Sequence, residues 1–166
     1  ENLNVSTPNS SIIATGSTPL PKLLLIFLPI ASLTVPLIKT SLNGNWTLSG
    51  SNYTCNAKIP GDFHSALIDE GIIKDPYYGF NEQDALWVGK TTWTIEKEFD
   101  FSKTQNAKSI LEFTQADTFF TLYINNKEVG KGKNQFIRYR FDISDFLVDG
   151  KNVIKFIFDS AEKKSE

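Results

Sequence analysis

The sequence predicts an all-β fold, an antiparallel sandwich carrying one short helix, and three observations predict it. From Leu42 onward the dominant hydrophobic period is two; asparagine and glycine punctuation falls at close intervals; and a single stretch carries a helical pattern. Strands place successive side chains on opposite faces, so alternation marks a half-buried strand with one face on a core. About eight such segments around one helix read as a sandwich.

Residues 46–48 are the first strand candidate. The helix comes after Pro60-Gly61 and is expected over 62–70: Asp62 can cap it, Phe63, Ala66 and Leu67 fall at i, i+3 and i+4, and Gly71 supplies a left-handed stop. Trp93, Ile95 and Phe99 then alternate with Thr94, Glu96 and Glu98, and 110–113 is a shorter candidate. Phe120, Leu122 and Ile124 share one face of the next strong segment. Asn125-Asn126 after it predicts a tight hairpin, because asparagine tolerates the positive φ of a primed turn. Strands at 128–131 and 137–141, a single helical turn at 144–147, and a last strand with Ile154, Phe156 and Phe158 on one face complete the domain. Gly130, Gly132 and Asp149-Gly150 punctuate this part.

Composition removes several function classes. A chain of 166 residues, 40% hydrophobic and 13% aromatic, is long enough for one domain with a sizeable core. Its 17 basic and 19 acidic residues form no basic stripe, so nucleic acid is not an expected partner. One cysteine, Cys55, and one histidine, His64, cannot assemble a structural zinc site or an internal disulfide. No metal site and no cofactor are expected. A Cys55–His64 nucleophilic pair is formally open, but Cys55 lies in an alternating polar segment where a half-buried thiol is the simpler account.

The front of the chain is different in kind. Residues 1–22 are rich in Ser, Thr, Asn and Pro and bury too little apolar surface to offset chain entropy, so disorder is expected. Behind Lys22, residues 23–28 are continuously apolar, and Pro29 and Pro36 break any continuation of that run. A membrane span needs about 20 apolar residues, so this run suits a signal-peptide core better than a stable membrane anchor. A buried strand or core helix is the alternative. Four N-x-[ST] triplets begin at Asn4, Asn9, Asn45 and Asn52, and the last two, inside the folded part, are the glycosylation candidates. The expected organisation is a leader over 1–41, a sandwich over 42–159 and a charged tail over 160–166, in a protein of the secretory pathway. The chain has no methionine and opens on Glu1, which fits a processed chain or a piece of a longer coding sequence.

Six segments in order, "LNGNW" (42–46), "IPGDFHSAL" (59–67), "GIIKDPYYGFNE" (71–82), "WVGKTTWTIEKEF" (87–99), "LEFTQADTFFTLYIN" (111–125) and "NQFIRYRFDIS" (134–144), resemble the N-terminal domain of β-mannosidases. Those enzymes belong to the glycoside hydrolase family that also holds β-galactosidases and β-glucuronidases. The resemblance implies a jelly-roll, galactose-binding-like domain that packs on a central sandwich and a catalytic (β/α)8 barrel. It further implies a lysosomal or extracellular parent enzyme that hydrolyses terminal β-linked mannose of glycans with retention. The pattern is not kept everywhere: Leu86 stands where the family often has arginine, Thr94-Ile95 come after Trp93, and Gln135 replaces a methionine. Losing that arginine removes a forked donor for carboxylates or sugar hydroxyls. The domain's sandwich is expected to be incomplete at its C-terminal side, since the family continues with further strands and an aromatic-rich motif. Such a gap would leave an unpaired edge and an exposed apolar face.

The resemblance also gives a use to the stretch 75–87, whose aromatics have no period and read as an irregular loop. Tyr77, Tyr78 and Trp87 can stack on sugar faces or on a neighbouring domain, while Asn81 and Glu82 can bond hydroxyls or pin the loop backbone. Trp87, Asn81 and Tyr78 are therefore the candidate substrate-binding residues, with docking of the loop on the barrel as the simpler role. Asp75-Pro76 reads as a turn starter. No catalytic residue is expected in this chain: a retaining glycosidase needs two carboxyl groups roughly 5 to 5.5 Å apart, and Asp75, Glu82 and Asp84 lie in one loop without a frame. A free-standing carbohydrate-binding jelly roll and a truncated product without function remain alternatives, and downstream coding sequence would separate them.

Overall fold

The computed structural model describes residues 4–6, 37–104, 106–117 and 119–160. In chain order the elements are β1 (Asn4–Ser6), β2 (Lys39–Ser41), β3 (Gly44–Gly50), β4 (Tyr53–Ile59), α1 (Phe63–Asp69), α2 (Asn81–Lys90), β5 (Trp93–Phe101), β6 (Ile110–Thr114), β7 (Phe119–Ile124), β8 (Lys127–Gly132), β9 (Arg138–Asp142) and β10 (Gly150–Asp159). They form two antiparallel sheets, ordered β2-β1-β6-β9 and β4-β3-β5-β10-β7-β8.

The spine of the larger sheet is β10, paired with β5 from Gly150↔Phe101 to Phe158↔Trp93 and with β7 on its other side. Alternation then decides which faces meet. Phe120, Leu122 and Ile124 of β7 and Ile154 and Phe156 of β10 are all buried, as the period of two predicts. Leu111 and Phe113 of the smaller sheet complete the layer between them. Phe113 of β6 meets Phe156 edge-on at 5.1 Å and Phe120 at 5.3 Å, so the aromatic core bridges the two sheets.

Local signals explain the joints. Asn125 and Asn126 take φ of 50° and 63°, the left-handed pair that a primed hairpin turn requires, and they join β7 to β8. Ser51 and Asn52 repeat this geometry between β3 and β4. In α1, Asp62 stands in extended backbone and its Oδ1 accepts the Ser65 N–H at 2.9 Å, while Gly71 beyond the helix has φ +68°. Burial works to raise the Asp62 pKa, but hydrogen bonds from the Ser65 hydroxyl and N–H, with His64 nearby, outweigh it and hold the carboxyl below its ordinary value. A depressed folded-state value means that the cap stabilises fully above the unfolded pKa and is lost as pH falls through the folded one. Asp62→Ala should cost about 1 kcal/mol at neutral pH. The gap between variant and parent chain should close in acid, which urea unfolding of both at several pH values will read.

The structure corrects the sequence reading in four places. The supposed irregular loop contains a second helix, α2, so there are two helices among the described residues and not one. Only Ala85 and Val88 of α2 are buried, too thin a stripe to show as a period. Glu82 and Asp84 in its first turn and Lys90 in its last do suit the helix dipole. β4 was missed because its inward residues, Cys55 and Ala57, are small. β1 and β2 lie in the stretch read as a leader, and β1 is a strand within the residues expected to be disordered. Residues 144–147 make a hydrogen-bonded turn, Phe146 N–H to the Ile143 carbonyl at 3.0 Å, instead of a turn of helix. The apolar run 23–28 and residues 161–166 of the tail lie outside the described residues.

Candidate functional site

The aromatic stretch is organised by one aspartate. Asp75 Oδ1 accepts the Tyr77 N–H at 2.9 Å, and its carbonyl accepts the Tyr78 N–H at 3.2 Å and Asn81 Nδ2 at 3.0 Å. Asp75 thus starts a turn, as expected, and Asn81 pins that turn to the start of α2. The consequence is outward presentation: Tyr77, Tyr78 and Phe80 are 99%, 80% and 86% exposed. Trp87 does something else. Its ring is half-buried between Tyr53 at 5.4 Å and Trp93 at 5.9 Å. Trp93 in turn donates its indole N–H to the Val88 carbonyl at 2.8 Å, tying α2 to the start of β5. Leu86 points to solvent.

A cleft of about 540 Å³ opens on the other side of this junction. Its floor is aromatic: Phe63 from α1, Trp93 from β5, Phe113 from β6 and Phe156 and Phe158 from β10. Phe63 meets Phe158 edge-on at 5.4 Å and Trp93 at 6.0 Å, so the floor is continuous. Its rim is polar, with Asp62, His64, Gln115, Asp117, Gln135 and Ser160. The Gln135 amide, turned so that its nitrogen faces Asp117, donates to both carboxylate oxygens at 3.2 Å. The loop that carries Gln135 is fixed by Tyr139, whose hydroxyl accepts the N–H groups of Lys133 at 3.1 Å and Asn134 at 2.9 Å. Asn134 Oδ1 then accepts the Phe136 N–H at 2.8 Å and holds that ring, 87% exposed, at the mouth. Ser160 is buried, and its hydroxyl finds no partner among the described residues.

None of Trp87, Asn81 and Tyr78 lines this cleft. The residues that do line it come from four of the segments that carry the resemblance, with Asp62, Trp93, Asp117 and Gln135 among them, and from the end of β10. Sequence reasoning passed over this convergence because Asp62, Asp117 and Gln135 stand far apart in the chain, a separation that only the fold closes.

Asp62 is held by its capping bonds with a lowered pKa, whereas a catalytic acid needs a raised one. Burial, then Glu70, pushes the Cys55 thiol up, so it stays protonated, and His64 is exposed. Among the described residues no group of three or more metal-ligating side chains gathers. Asn45 on β3 and Asn52 in its turn are both exposed.

Residues 46–166 match the family described as glycosyl hydrolase 2 galactose-binding domain-like. The chain belongs to this family. Rat β-mannosidase is 38% identical to it over 130 residues, covering 76% of this chain and 15% of the rat protein. The solved β-D-mannosidase of Dictyoglomus thermophilum is 34% identical with a TM-score of 0.69, over 74% of this chain and 16% of that one. The β-D-glucuronidase of the same organism shares the fold at a TM-score of 0.53 but is 22% identical, over 72% of this chain and 19% of that one. This chain thus spans less than one fifth of each of these relatives, and both the sandwich and the β-mannosidase resemblance read from the sequence hold. Among the described residues no helix is long and apolar enough to cross a membrane.

Proposed function

We propose that this domain serves a β-mannosidase-type glycosidase that removes terminal β-linked mannose with retention, and that the catalytic carboxylate pair lies outside this chain. One observation carries the substrate class. Identity to β-mannosidases is 33 to 38%, against 22% for a glucuronidase of the same fold. The domain's own part is structural. Tyr77, Tyr78 and Phe80, exposed on a turn pinned by Asp75 and Asn81, offer an apolar surface to the central sandwich and barrel, and the same edge forms part of the sugar pocket's rim. The enzyme travels the secretory pathway to the lysosome or the cell exterior, with glycans on exposed Asn45 and Asn52.

Expression of the full-length parent in eukaryotic cells, beside this chain alone, tests the reading. The parent should hydrolyse an aryl β-mannoside, the chain should not, and mass spectrometry should find a glycan on Asn45 or Asn52. A parent that cleaves only the aryl β-glucuronide would overturn the substrate class, and an unglycosylated cytosolic product the route. Turnover by the chain itself that vanishes in Glu82→Gln would place the chemistry on α2.

A further inference from the structure

We propose that the glycan on Asn52 is structural: its first sugar ring packs on Tyr53 and braces α2, whereas a glycan on Asn45 stands free in water. This rests on the secretory route proposed above and goes beyond it. Both triplets carry an aromatic residue in the middle, Asn45-Trp46-Thr47 and Asn52-Tyr53-Thr54. The fold uses the two rings in opposite ways.

Asn45 lies inside β3, where successive side chains point to opposite faces. Trp46 is accordingly turned into the core, 2% exposed, with its indole N–H donated to the Leu42 carbonyl at 2.9 Å. Asn45 itself is exposed, opposite Lys58 of β4 and two residues from exposed Thr47 on its own strand. Neither of these neighbours offers an apolar face to a sugar.

Asn52 lies in the turn between β3 and β4, exposed and at φ +67°. Its neighbour Tyr53 remains 43% exposed although the ring packs on Trp87 at 5.4 Å. The rest of that ring is apolar surface left in water beside the glycan's point of attachment. A pyranose has an apolar C–H face that can lie on an aromatic ring while its hydroxyls stay with the solvent. Attachment through the adjacent residue makes the contact intramolecular, so even a weak interaction is occupied.

The contact matters through α2. This helix buries only Ala85 and Val88, and it is held to the sheet by Trp87, between Tyr53 and Trp93, and by the Trp93 indole bond to the Val88 carbonyl. A sugar over the free part of Tyr53 restrains the ring against which Trp87 packs. The same helix follows the turn that carries Tyr77, Tyr78 and Phe80, so the glycan steadies that exposed surface too.

The test uses the whole chain made in eukaryotic cells and trimmed enzymatically to one N-acetylglucosamine per site, beside the same chain made in bacteria without glycans. Thr47→Ala removes the Asn45 triplet and Thr54→Ala the Asn52 triplet, and both asparagines stay in place. With the sugar on Asn52 alone, Tm should rise by about 2 to 4 °C over the sugar-free form, and hydrogen exchange of the α2 amides should slow. A sugar on Asn45 alone should do neither. Tyr53→Ser should abolish the gain and Tyr53→Phe should keep it, each variant being compared with its own sugar-free form. An empty Asn52, no gain from its sugar, a gain that survives Tyr53→Ser, or equal gains from the two sites would each overturn the proposal. A chain glycosylated on Asn45 alone would leave the secretory route standing, whereas a chain bare at both sites would remove the support for the route as well.

Discussion

Phe120→Ala lowers the free energy of unfolding by about 3 to 5 kcal/mol, and urea denaturation with an unchanged slope is the measurement that checks it. Phe120 is 1% exposed and sits where the two sheets meet, edge-on to Phe113 at 5.3 Å, to Tyr139 at 4.8 Å and to Phe156 at 5.7 Å. Truncation removes the ring from all three and leaves a void bounded by strands that pairing holds in place, so little collapse is available. A loss under about 1 kcal/mol would mean that the sheets close over the void and that packing here is looser than the geometry states. A neighbour sharpens the test. A Cβ added at Gly132 of β8 would overlap the Phe120 ring and approach Tyr139 Cζ to 2.7 Å. Gly132→Ala alone should therefore destabilise by about 1 to 3 kcal/mol through overpacking. Combined with Phe120→Ala, the added methyl enters the space that the ring vacated, so the double variant should be more stable than the sum of the two losses.

The strands on which this argument rests were legible in the sequence because their burial tracks their alternation: Trp93 and Ile95, Phe120 to Ile124, Ile154 and Phe156. Capping was legible for the same kind of reason, since Asp62 and Gly71 act through local geometry. Features that depend on distant partners escaped. α2 buries only Ala85 and Val88, and its position rests on Trp87 packing between Tyr53 and Trp93, two residues far apart in the chain. The cleft escaped entirely, although the segments around Asp62, Asp117 and Gln135 had each been singled out. Their residue types are ordinary for turns and caps, and nothing short of the sheet topology says that they face one another. The candidates drawn from the aromatic stretch failed to converge for the converse reason: proximity in sequence put Tyr78, Asn81 and Trp87 on one turn and helix, with three different surroundings.

Asn152→Leu should be as damaging as the loss of a core ring, although it replaces a polar side chain by an apolar one of similar size. Asn152 opens the buried face of β10 and is 1% exposed, in a position that the pattern of Ile154 and Phe156 would assign to an aliphatic residue. Its amide is fully used. Oδ1 accepts the Val148 N–H at 2.9 Å and Asn125 Nδ2 at 2.8 Å, and Nδ2 donates to the carbonyls of Val148 at 2.8 Å and Gly150 at 2.9 Å. Asn125 extends the network: its Nδ2 also reaches the Phe146 carbonyl and its Oδ1 accepts the Val153 N–H, both at 2.9 Å. Two asparagines thus tie the turn backbone of 146–150 to the β7–β8 hairpin. Leucine adds at most one buried side chain, worth about 1.5 to 3 kcal/mol, but it removes the partners of several backbone groups at about 1 to 3 kcal/mol each. The polar loss wins, and the net cost should be about 3 kcal/mol. Native-state hydrogen exchange locates it: the Val148 amide should lose its protection selectively, while amides of the β5–β10 pair fall only by the global loss of stability. Stability within about 1 kcal/mol of the parent chain, with Val148 still protected, would show that the loop is held by packing of Leu147 and Phe146 and not by the amide network.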